Sequence, residues 1–599
     1  MKKLLSILLC TCLICADTIT FGTTHQFMEQ KAVMQKFSEI AHQYETQLFD
    51  YIPELGLVYG RSDVALDRFM DASIPGYQRW WKQEDQLLSA LDALDQKDLH
   101  HTPYYTTYLL LKETLASNQA SRICRTELWD VNPLDGWHNQ LAFVATKQPV
   151  GTDAYRQAAL KRWRTFAQVV DTQITNLKLG VRLGYTAPRP AVQRVITQIN
   201  IILNLPIESS PFFDFVRRDP DPNFQKQGHD LVAHIIHPAL KKYVNYLETY
   251  YLSVARTEIG VRALPAGQAC YKAKIKQETT LSMTPEAIHA LGLQEMRRIE
   301  QEVAEIGLKK YGIRDIKSVF QRGSDEGLHY FTTEQDIIHY NAKALAKAQA
   351  SIPNWFIVIP KSPGIIMPYP SYRAQTGAPG QYYPPNDAGT EPGMFYINTY
   401  EPQQRSRIDQ EATLFHELIP GHHFQIALQY ENKALPHVNH YLFNSGFGEG
   451  WALYAERLAD EMGLYDDEVS RLGMFSNEAL RAARLVVDTG IHAMHWSREQ
   501  AVHYLKQHTA MNDSIIEGEV DRYIMLPGQA TAYMIGRNEI LHLRHMAQQK
   551  LGKRFDIRHF HEQVLKNGMV SLPILKWQIE AWIQDQMTRS GQNHTLLTS

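Results

Sequence analysis

A histidine and a glutamate stand next to each other in the middle of the chain, and two more histidines follow closely. They are His416 and Glu417, then His422 and His423, in the stretch HELIPGHH. Zinc hydrolases bind the metal through two histidines of one helix, and the glutamate after the first histidine polarises the attacking water. The composition of this stretch therefore indicates a zinc hydrolase site, although the usual HExxH spacing is absent.

The spacing of these histidines does not suit an unbroken helix. Ligands at positions i and i+4 project from one face, separated by about 6 Å of rise and about 40° of rotation. Pro420 occupies position i+4 here. In a regular helix His422 would lie about 9 Å along the axis on another face, and His423 about 10.5 Å away. Because proline interrupts helical hydrogen bonds and Gly421 tolerates unusual dihedral angles, we expect a bulge or kink that brings one of the two histidines to the metal.

A third ligand is needed, because a catalytic zinc ion normally has three protein ligands and a water molecule. The downstream segment GEGWALYAE offers Glu449 and Glu456, which are seven residues apart and therefore share one helix face. One carboxylate can bind the metal while the other holds a histidine ligand or the helix in place.

Other candidate sites are weaker. His229, His234 and His237 have no neighbouring glutamate, which favours ordinary helix histidines. His561 and Glu562 repeat the His-Glu pair, but no second histidine follows at metal spacing. The absence of a GxSxG motif disfavours a serine hydrolase.

The composition is that of a soluble globular protein. The chain has 599 residues, of which 44% are hydrophobic and 21% charged, with a net charge of -3. This length suits two packed lobes. The net charge and the lack of a basic run predict no nucleic-acid partner.

The N-terminus predicts export. Residues 1–22 begin with Lys2 and Lys3 and continue into a short apolar core, which is typical of a cleaved secretory signal peptide. A lipoprotein signal fits less well, because Ile14 precedes Cys15 where a small residue would be expected. Since no later apolar run has membrane length, we expect a periplasmic or secreted protein without an integral membrane segment.

Cleavage of the signal would leave two cysteines, Cys124 and Cys270. An even pair in an oxidising compartment predicts a disulfide. Two unpaired buried thiols are the alternative, because sequence spacing does not show proximity.

Apolar residues recur at intervals of three and four over most of the chain, which predicts a mainly α fold. We assign an N-terminal helical lobe to residues 23–270 and a catalytic lobe to residues 271–599. Residues 354–400 contain the β-like runs WFIVIP, IIMPY and GMFYINTY around a loop rich in Gly, Pro and Tyr. They predict a small sheet beside the metal helix that aligns a substrate backbone, with Tyr396 as a candidate substrate contact.

Several motifs together resemble the bacterial domain-of-unknown-function family 885, which is grouped with zincin-like, gluzincin-type metallopeptidases. They are HELIPGHHFQ, GEGWALYAE, RLVVDTGIHAMHWSREQAVHYL, LPGQATAYMIGRNEI and PGMFYINTY, and the resemblance covers nearly all of the mature chain. GEGWALYAE is also similar to the NEGFAxYxE segment of the aminopeptidase N family. That similarity implies a ligand role for Glu449 and a supporting role for Glu456. Peptidases with HExGH imply that His422 is the second ligand, with His423 as the alternative.

The resemblance also implies roles for downstream residues. Metallopeptidases of this kind stabilise the oxyanion with a Tyr or His donor, and position favours Tyr533, then His492. Asp488 is a candidate for supporting the metal ligands. Arg537 could pair with a substrate carboxylate, although an ordinary salt bridge is the favoured interpretation.

The predicted function is hydrolysis of peptides by Zn²⁺ held on His416, His422 and Glu449, with Glu417 as the general base. Two alternatives remain open at this point. One is a non-catalytic binding protein with a peptidase-like fold, in which the Pro-Gly insertion has spoiled the ligand geometry. The other is a zinc hydrolase of non-peptide amides or esters.

Overall fold

The computed structural model describes residues 29–100, 102–369, 380–386 and 391–596. Within these ranges most residues are helical and three short strands form one sheet, so the prediction of a mainly α fold with a small sheet is confirmed. The predicted signal peptide lies outside the described residues. In the described part of the chain, no helix has the length and apolar character needed to cross a membrane.

Most connections between the α-helices of the described residues are short, and the sheet lies in the long connection between Ser351 and Gln410. In chain order the α-helices are 29–51, Pro53–Val58, Ile74–Asp92, Gln96–Leu99, Tyr105–Ser121, Trp137–Lys147, Asp153–Arg164, Phe166–Leu183, Arg189–Asn204, Asp214–Arg217, Pro222–Leu231, His237–Tyr246, Leu252–Val254, Gly267–Thr279, Pro285–Tyr311, Ile316–Gly327, Glu334–Ser351, Gln410–Glu417, His422–Glu431, Ser445–Glu461, Glu468–Ala493, Arg498–His508, Asp513–Met525, Ala532–Leu551, Ile557–Leu565 and Leu572–Leu596.

Two long helices form the support of the site. Pro285–Tyr311 begins at the N-cap Thr284, whose side chain accepts from the backbone N–H of Ala287, as its Thr-Pro-Glu start predicts. It packs along Glu468–Ala493, and Gly292 allows the close approach, since a Cβ there would lie 2.7 Å from Leu485. Most residues of Glu468–Ala493 are buried, so this helix is the central element of the larger core.

The buried apolar side chains form two clusters. The larger one joins Phe37 and Trp80 of the first helices to the helices that follow residue 259. The smaller one lies within residues 57–255 and is centred on aromatic side chains such as Trp163. A disulfide joins Cys124 to Cys270. Both cysteines lie in the larger cluster, so the bond links two segments of that cluster that are 146 residues apart in the chain.

The sheet has the strand order β1-β3-β2. Strand β1 (Gly364–Pro368) is parallel to β3 (Gly393–Ile397), and β2 (Gly380–Tyr383) is antiparallel to β3. The run WFIVIP was predicted as a strand and forms none. Three of its residues, 357–359, are about half exposed, and no strand of the described residues pairs with this apolar run.

Candidate metal centre

The helix that carries His416 ends before His422 and His423, rather than only bulging between the histidines. Helix Gln410–Glu417 ends just after His416, and the next helix begins at His422. The Ile419–Pro420 peptide bond in the connection is cis. Gly421 is required there, because a Cβ at this position would lie 1.9 Å from the carbonyl oxygen of His416. The tight return of the backbone brings the start of the second helix back beside His416.

Three side chains meet at this break and are here called the metal group: His416, His422 and Glu449. The Nε2 atoms of His416 and His422 lie 3.5 and 3.4 Å from the same Oε2 atom of Glu449. Two ligands bound at about 2.0–2.1 Å to a tetrahedral ion are separated by about 3.3–3.4 Å. The three potential ligand atoms all lie within 4.8 Å of one another. The two imidazoles and the carboxylate therefore have the composition and spacing of a tetrahedral metal site with one open position.

Glu456 lies behind the first histidine. The Nδ1–H of His416 donates to Oε1 of Glu456 over 2.8 Å, and both side chains are buried. This hydrogen bond keeps a proton on Nδ1 of His416, so Nε2, which faces Glu449, is the nitrogen that can lose its proton and bind a metal. The two glutamates of GEGWALYAE thus have separate places, one in the group and one in its support.

The carboxylates change the titration of the group. Burial alone would lower the pKa of His416, but its bonds to Glu449 and Glu456 outweigh burial and raise that pKa to about 9. Burial would raise the pKa of Glu449, yet the two histidines hold it well below its usual value. The carboxylates therefore stabilise positive charge on the histidines, as they would stabilise a cation held by the three side chains.

His423 lies outside this group. Its Nε2–H donates to the carbonyl of Ser362 over 2.9 Å, and its Nδ1 accepts from the hydroxyl of Tyr382 over 3.0 Å. Burial lowers its pKa, so the ring is neutral. Gly393 makes room for the ring, because a Cβ there would lie 2.4 Å from Nδ1 of His423. His423 fastens helix His422–Glu431 to the sheet.

The group opens into a cavity of about 1100 Å³, which Glu417 and Tyr533 also line. Glu417 is half-buried, and no hydrogen bond or ion pair within the described residues engages its carboxylate. The ring of Tyr533 stacks on that of His416 at a centroid distance of 6.5 Å. Its hydroxyl accepts from Nη2 of Arg522 over 3.1 Å.

The packing of two helices places Tyr533 there. Ser445–Glu461 and Ala532–Leu551 cross in close contact. A Cβ at Gly536 would lie 1.7 Å from the carbonyl oxygen of Gly446. Because glycine occupies this crossing, the two backbones approach closely enough to hold Tyr533 beside the metal group.

Strand β2 lines the same cavity. It lies at the edge of the sheet, and Gly380, Gln381 and Tyr382 face the cavity. A Cβ at Gly380 would lie 3.1 Å from the side chain of Thr413, in the helix that carries His416. The edge strand beside this helix therefore comes from the segment that the sequence predicts as a loop.

Two predicted site residues are buried away from the cavity. His492 accepts from the N–H of Val261 and donates to the carbonyl of Tyr523. Burial lowers its pKa to about 3. Asp488 accepts from the hydroxyl of Tyr271 over 2.5 Å. Neither residue touches the metal group or lines the cavity, so neither can donate to an oxyanion or support a ligand there.

Arg537 and Tyr396 are also engaged elsewhere. Nη2 of Arg537 donates to Oε1 of Glu478 over 2.5 Å, and both side chains are buried, which is the salt bridge that the sequence favours. Tyr396 lies on the central strand β3 and stacks on Tyr369. The substrate roles predicted for these two residues do not agree with their positions.

The sequence reasoning missed three arginines of the cavity wall: Arg481, Arg484 and Arg522. Two of them stand three residues apart on the mostly buried helix Glu468–Ala493. That spacing on a buried helix was a usable signal, because arginine is almost never buried without a partner.

The model of the family described as "Bacterial protein of unknown function (DUF885)" matches residues 53–579. No curated protein sequence matches the chain. A solved structure from Colwellia psychrerythraea superposes with a TM-score of 0.85 at 24% identity, covering 93% of this chain and 99% of that one. Another from Shewanella oneidensis gives 0.72 at 17% identity, covering 90% and 99%. Each is titled a "putative lipoprotein", and at these identities the similarity shows the fold alone.

Proposed function

We propose that this chain, which belongs to the bacterial family DUF885, is a zinc-dependent, zincin-like peptide hydrolase. One observation carries the proposal. Nε2 of His416 and Nε2 of His422 converge on one oxygen of Glu449 at 3.5 and 3.4 Å, at the wall of an open cavity. A His₂Glu set with a free fourth position is the ligand set of catalytic zinc.

The donor set fits zinc in type as well as in spacing. His416 and His422 offer imidazole nitrogens and Glu449 a carboxylate oxygen, while Glu456 orients the first imidazole, as outer carboxylates do in zinc sites. Zinc held in this way lowers the pKa of water to about 7 and polarises a carbonyl group.

The other cavity residues supply the proton transfers. Glu417, whose carboxylate has no hydrogen bond or ion pair within the described residues, takes a proton from the attacking water and passes it to the leaving amine. The hydroxyl of Tyr533, polarised by Arg522, donates to the oxyanion. Strand β2, which lies at the edge of the sheet and lines the cavity, aligns the backbone of an extended peptide.

We place this activity outside the cytoplasm, in the periplasm or the secreted fraction. The signal-like N-terminus and the disulfide support export. The two similar solved structures are each described as a "putative lipoprotein", which supports an envelope location.

The variant Glu417→Gln tests the mechanism. It should retain near-stoichiometric zinc and lose about 10²–10⁴-fold of peptidase activity, the range for removal of a general base. Peptide cleavage is followed by mass spectrometry and metal content by elemental analysis. The matched control is Glu562→Gln, which removes the glutamate of the other His-Glu pair and should keep full activity. Full activity of Glu417→Gln would contradict the mechanism.

The same preparation separates the alternatives. Purified protein without tightly bound zinc would favour a non-catalytic binding protein. Zinc-loaded protein that cleaves amides or esters in a substrate panel, but no member of a peptide library, would favour a non-peptide hydrolase.

A further inference from the structure

Three arginines surround Tyr533 in the cavity and are here called the arginine cluster: Arg481, Arg484 and Arg522. The Cζ atoms of Arg484 and Arg481 lie 4.5 and 5.8 Å from the centroid of the Tyr533 ring. Arg522 donates to the Tyr533 hydroxyl over 3.1 Å. All three side chains line the cavity, so they present positive charge to whatever enters it.

The acidic groups nearby do not balance this charge. Glu519 is shared between Arg484 at 2.7 Å and Arg522 at 3.6 Å. Arg481 lies 3.8 Å from Glu456, but that carboxylate is already bonded to a histidine of the metal group.

The third acid close to the cluster is Glu278, which also lines the cavity. Its carboxylate accepts from the hydroxyl of Ser445 over 2.6 Å, and no salt bridge within the described residues joins it to the cluster. Nε of Arg481 and Nη1 of Arg484 have no hydrogen-bond partner within the described residues. The cluster thus has more donors than the protein has acceptors for them.

The arginine cluster lies within the length of a short peptide segment from the metal group. Tyr533 contacts both the metal group and the arginine cluster, since its ring stacks on His416 at 6.5 Å and lies 4.5 Å from Cζ of Arg484. An extended chain advances about 3.3–3.6 Å per residue. A peptide bond at the metal group would therefore place a group about one to three residues downstream at the arginine cluster.

We propose that the arginine cluster binds the C-terminal carboxylate of the substrate, so that the enzyme releases about one to three residues from the C-terminus of a peptide. Guanidinium groups bind carboxylates through paired, charge-assisted hydrogen bonds. The reaction is hydrolysis: the C–N bond breaks, the hydroxyl of water adds to the carbonyl carbon, and the proton goes to the leaving nitrogen. This inference rests on the proposed function.

A peptide library prepared with free and with amidated C-termini tests the inference. The zinc-loaded protein should cleave the free acids near their C-terminus, and the amides at least about tenfold more slowly. Arg481→Gln should reduce cleavage of the free acids by about 10- to 100-fold, mainly through KM, and change cleavage of the amides much less. Arg522→Gln should show the same loss for the free acids and, because Arg522 also donates to the Tyr533 hydroxyl, a lower kcat for both kinds of peptide. Arg471→Gln, on the same helix as Arg481 but paired with Asp460, should retain the preference.

A carboxylate of an Asp or Glu side chain would reach the same cluster, and the amidated library distinguishes this source. Cleavage of amidated peptides that depends on an acidic side chain would overturn the assignment to the C-terminus. Equal cleavage of acids and amides would also overturn it and leave the proposed hydrolysis intact.

Binding without turnover is measured by calorimetry on zinc-loaded Glu417→Gln protein. The probes are N-acetyl-dialanine and its carboxamide. Preferential binding of the acid, lost in Arg522→Gln, supports the inference even where hydrolysis fails. Equal binding of both probes contradicts it.

Discussion

His422 and His423 are neighbours in sequence, but the structure gives them different surroundings. Nε2 of His422 faces Glu449 at 3.4 Å, whereas both ring nitrogens of His423 are bonded to the sheet, at Ser362 and Tyr382. Under the proposed function, identical side chains therefore serve metal binding in one case and packing in the other. The pair offers a test in which the chemistry removed is the same.

We expect His422→Ala to lose tightly bound zinc, because only two ligands remain. His423→Ala should keep the metal and lose about 1–3 kcal/mol of unfolding free energy, because the Ser362 carbonyl and the Tyr382 hydroxyl lose their partner. Metal content after dialysis and urea unfolding measure the two effects. Equal zinc loss in both variants would contradict the assignment of the ligands.

Glu456 acts on the metal group only through His416. The variant Glu456→Gln should therefore weaken zinc binding by about 10- to 100-fold without removing a ligand. Competition with a chromogenic chelator measures the affinity. Glu461→Gln, on the same helix but paired with Arg544 at the surface, is the control. Unchanged affinity in Glu456→Gln would show that the hydrogen bond does not tune the site.

At the scale of elements, the close crossing of Ser445–Glu461 and Ala532–Leu551 holds Glu449 and Tyr533 at the wall of one cavity. Gly536→Ala would drive a methyl group into the carbonyl of Gly446 and should destabilise the protein by about 1–3 kcal/mol. Gly518→Ala is the matched control, because a Cβ there meets nothing within 4 Å. That helical substitution should stabilise by about 0.5–1 kcal/mol. Thermal unfolding that ranks the two variants in the opposite order would contradict this view of the crossing.

The composition of the metal group was predictable because its residues stand in two short motifs. Pro420 and Gly421 predicted the interruption of the helix between His416 and His422. How far the chain turns there depends on contacts from elsewhere, such as the hydrogen bond from Nε1 of Trp451 to the carbonyl of Pro420. No pattern within HELIPGHH contains that contact. The choice between His422 and His423 therefore needed the fold.

The strands and the arginines show the same limit. Strand β2 has only four residues in a segment rich in Gly and Pro, and it exists because β3 pairs with it. WFIVIP has the composition of a strand, but no strand of the described residues pairs with it. Likewise Arg537 and Arg522 lie in helices that follow one another in the chain. Packing alone decides that Arg537 pairs with Glu478 while Arg522 lines the cavity.

At the scale of the whole molecule, the disulfide closes a long loop. Cys124 and Cys270 are 146 residues apart, and cross-links of that span stabilise by about 4–5 kcal/mol in the chain-entropy model. The double variant Cys124→Ala/Cys270→Ala should lose free energy of this order. Urea unfolding of the variant and of the native protein with and without reductant measures the loss. No difference among them would mean that the bond does not contribute to stability.

The buried carboxyl of Asp488 should make stability depend on pH. Burial raises its pKa from 3.8 to about 7, although the Tyr271 hydroxyl and the Gly528 N–H partly oppose the shift. Between these two values the folded protein holds a proton that the unfolded chain releases. The stabilising contribution is therefore complete below about pH 3.8 and is lost as the pH rises to about 7, at roughly 1.4 kcal/mol per pH unit.

Asp488→Asn removes this titration while the amide oxygen still accepts from Tyr271 and Gly528. Urea unfolding at several pH values should show that native protein loses stability relative to the variant across pH 4–7, by roughly 1.4 kcal/mol per unit, with no further divergence above about pH 7. The variant leaves the cavity and the metal group untouched, so zinc content should be equal in both proteins. Parallel stability profiles over this range would mean that Asp488 is already ionised in the folded protein. In that case its bond to Tyr271, rather than a retained proton, compensates for burial.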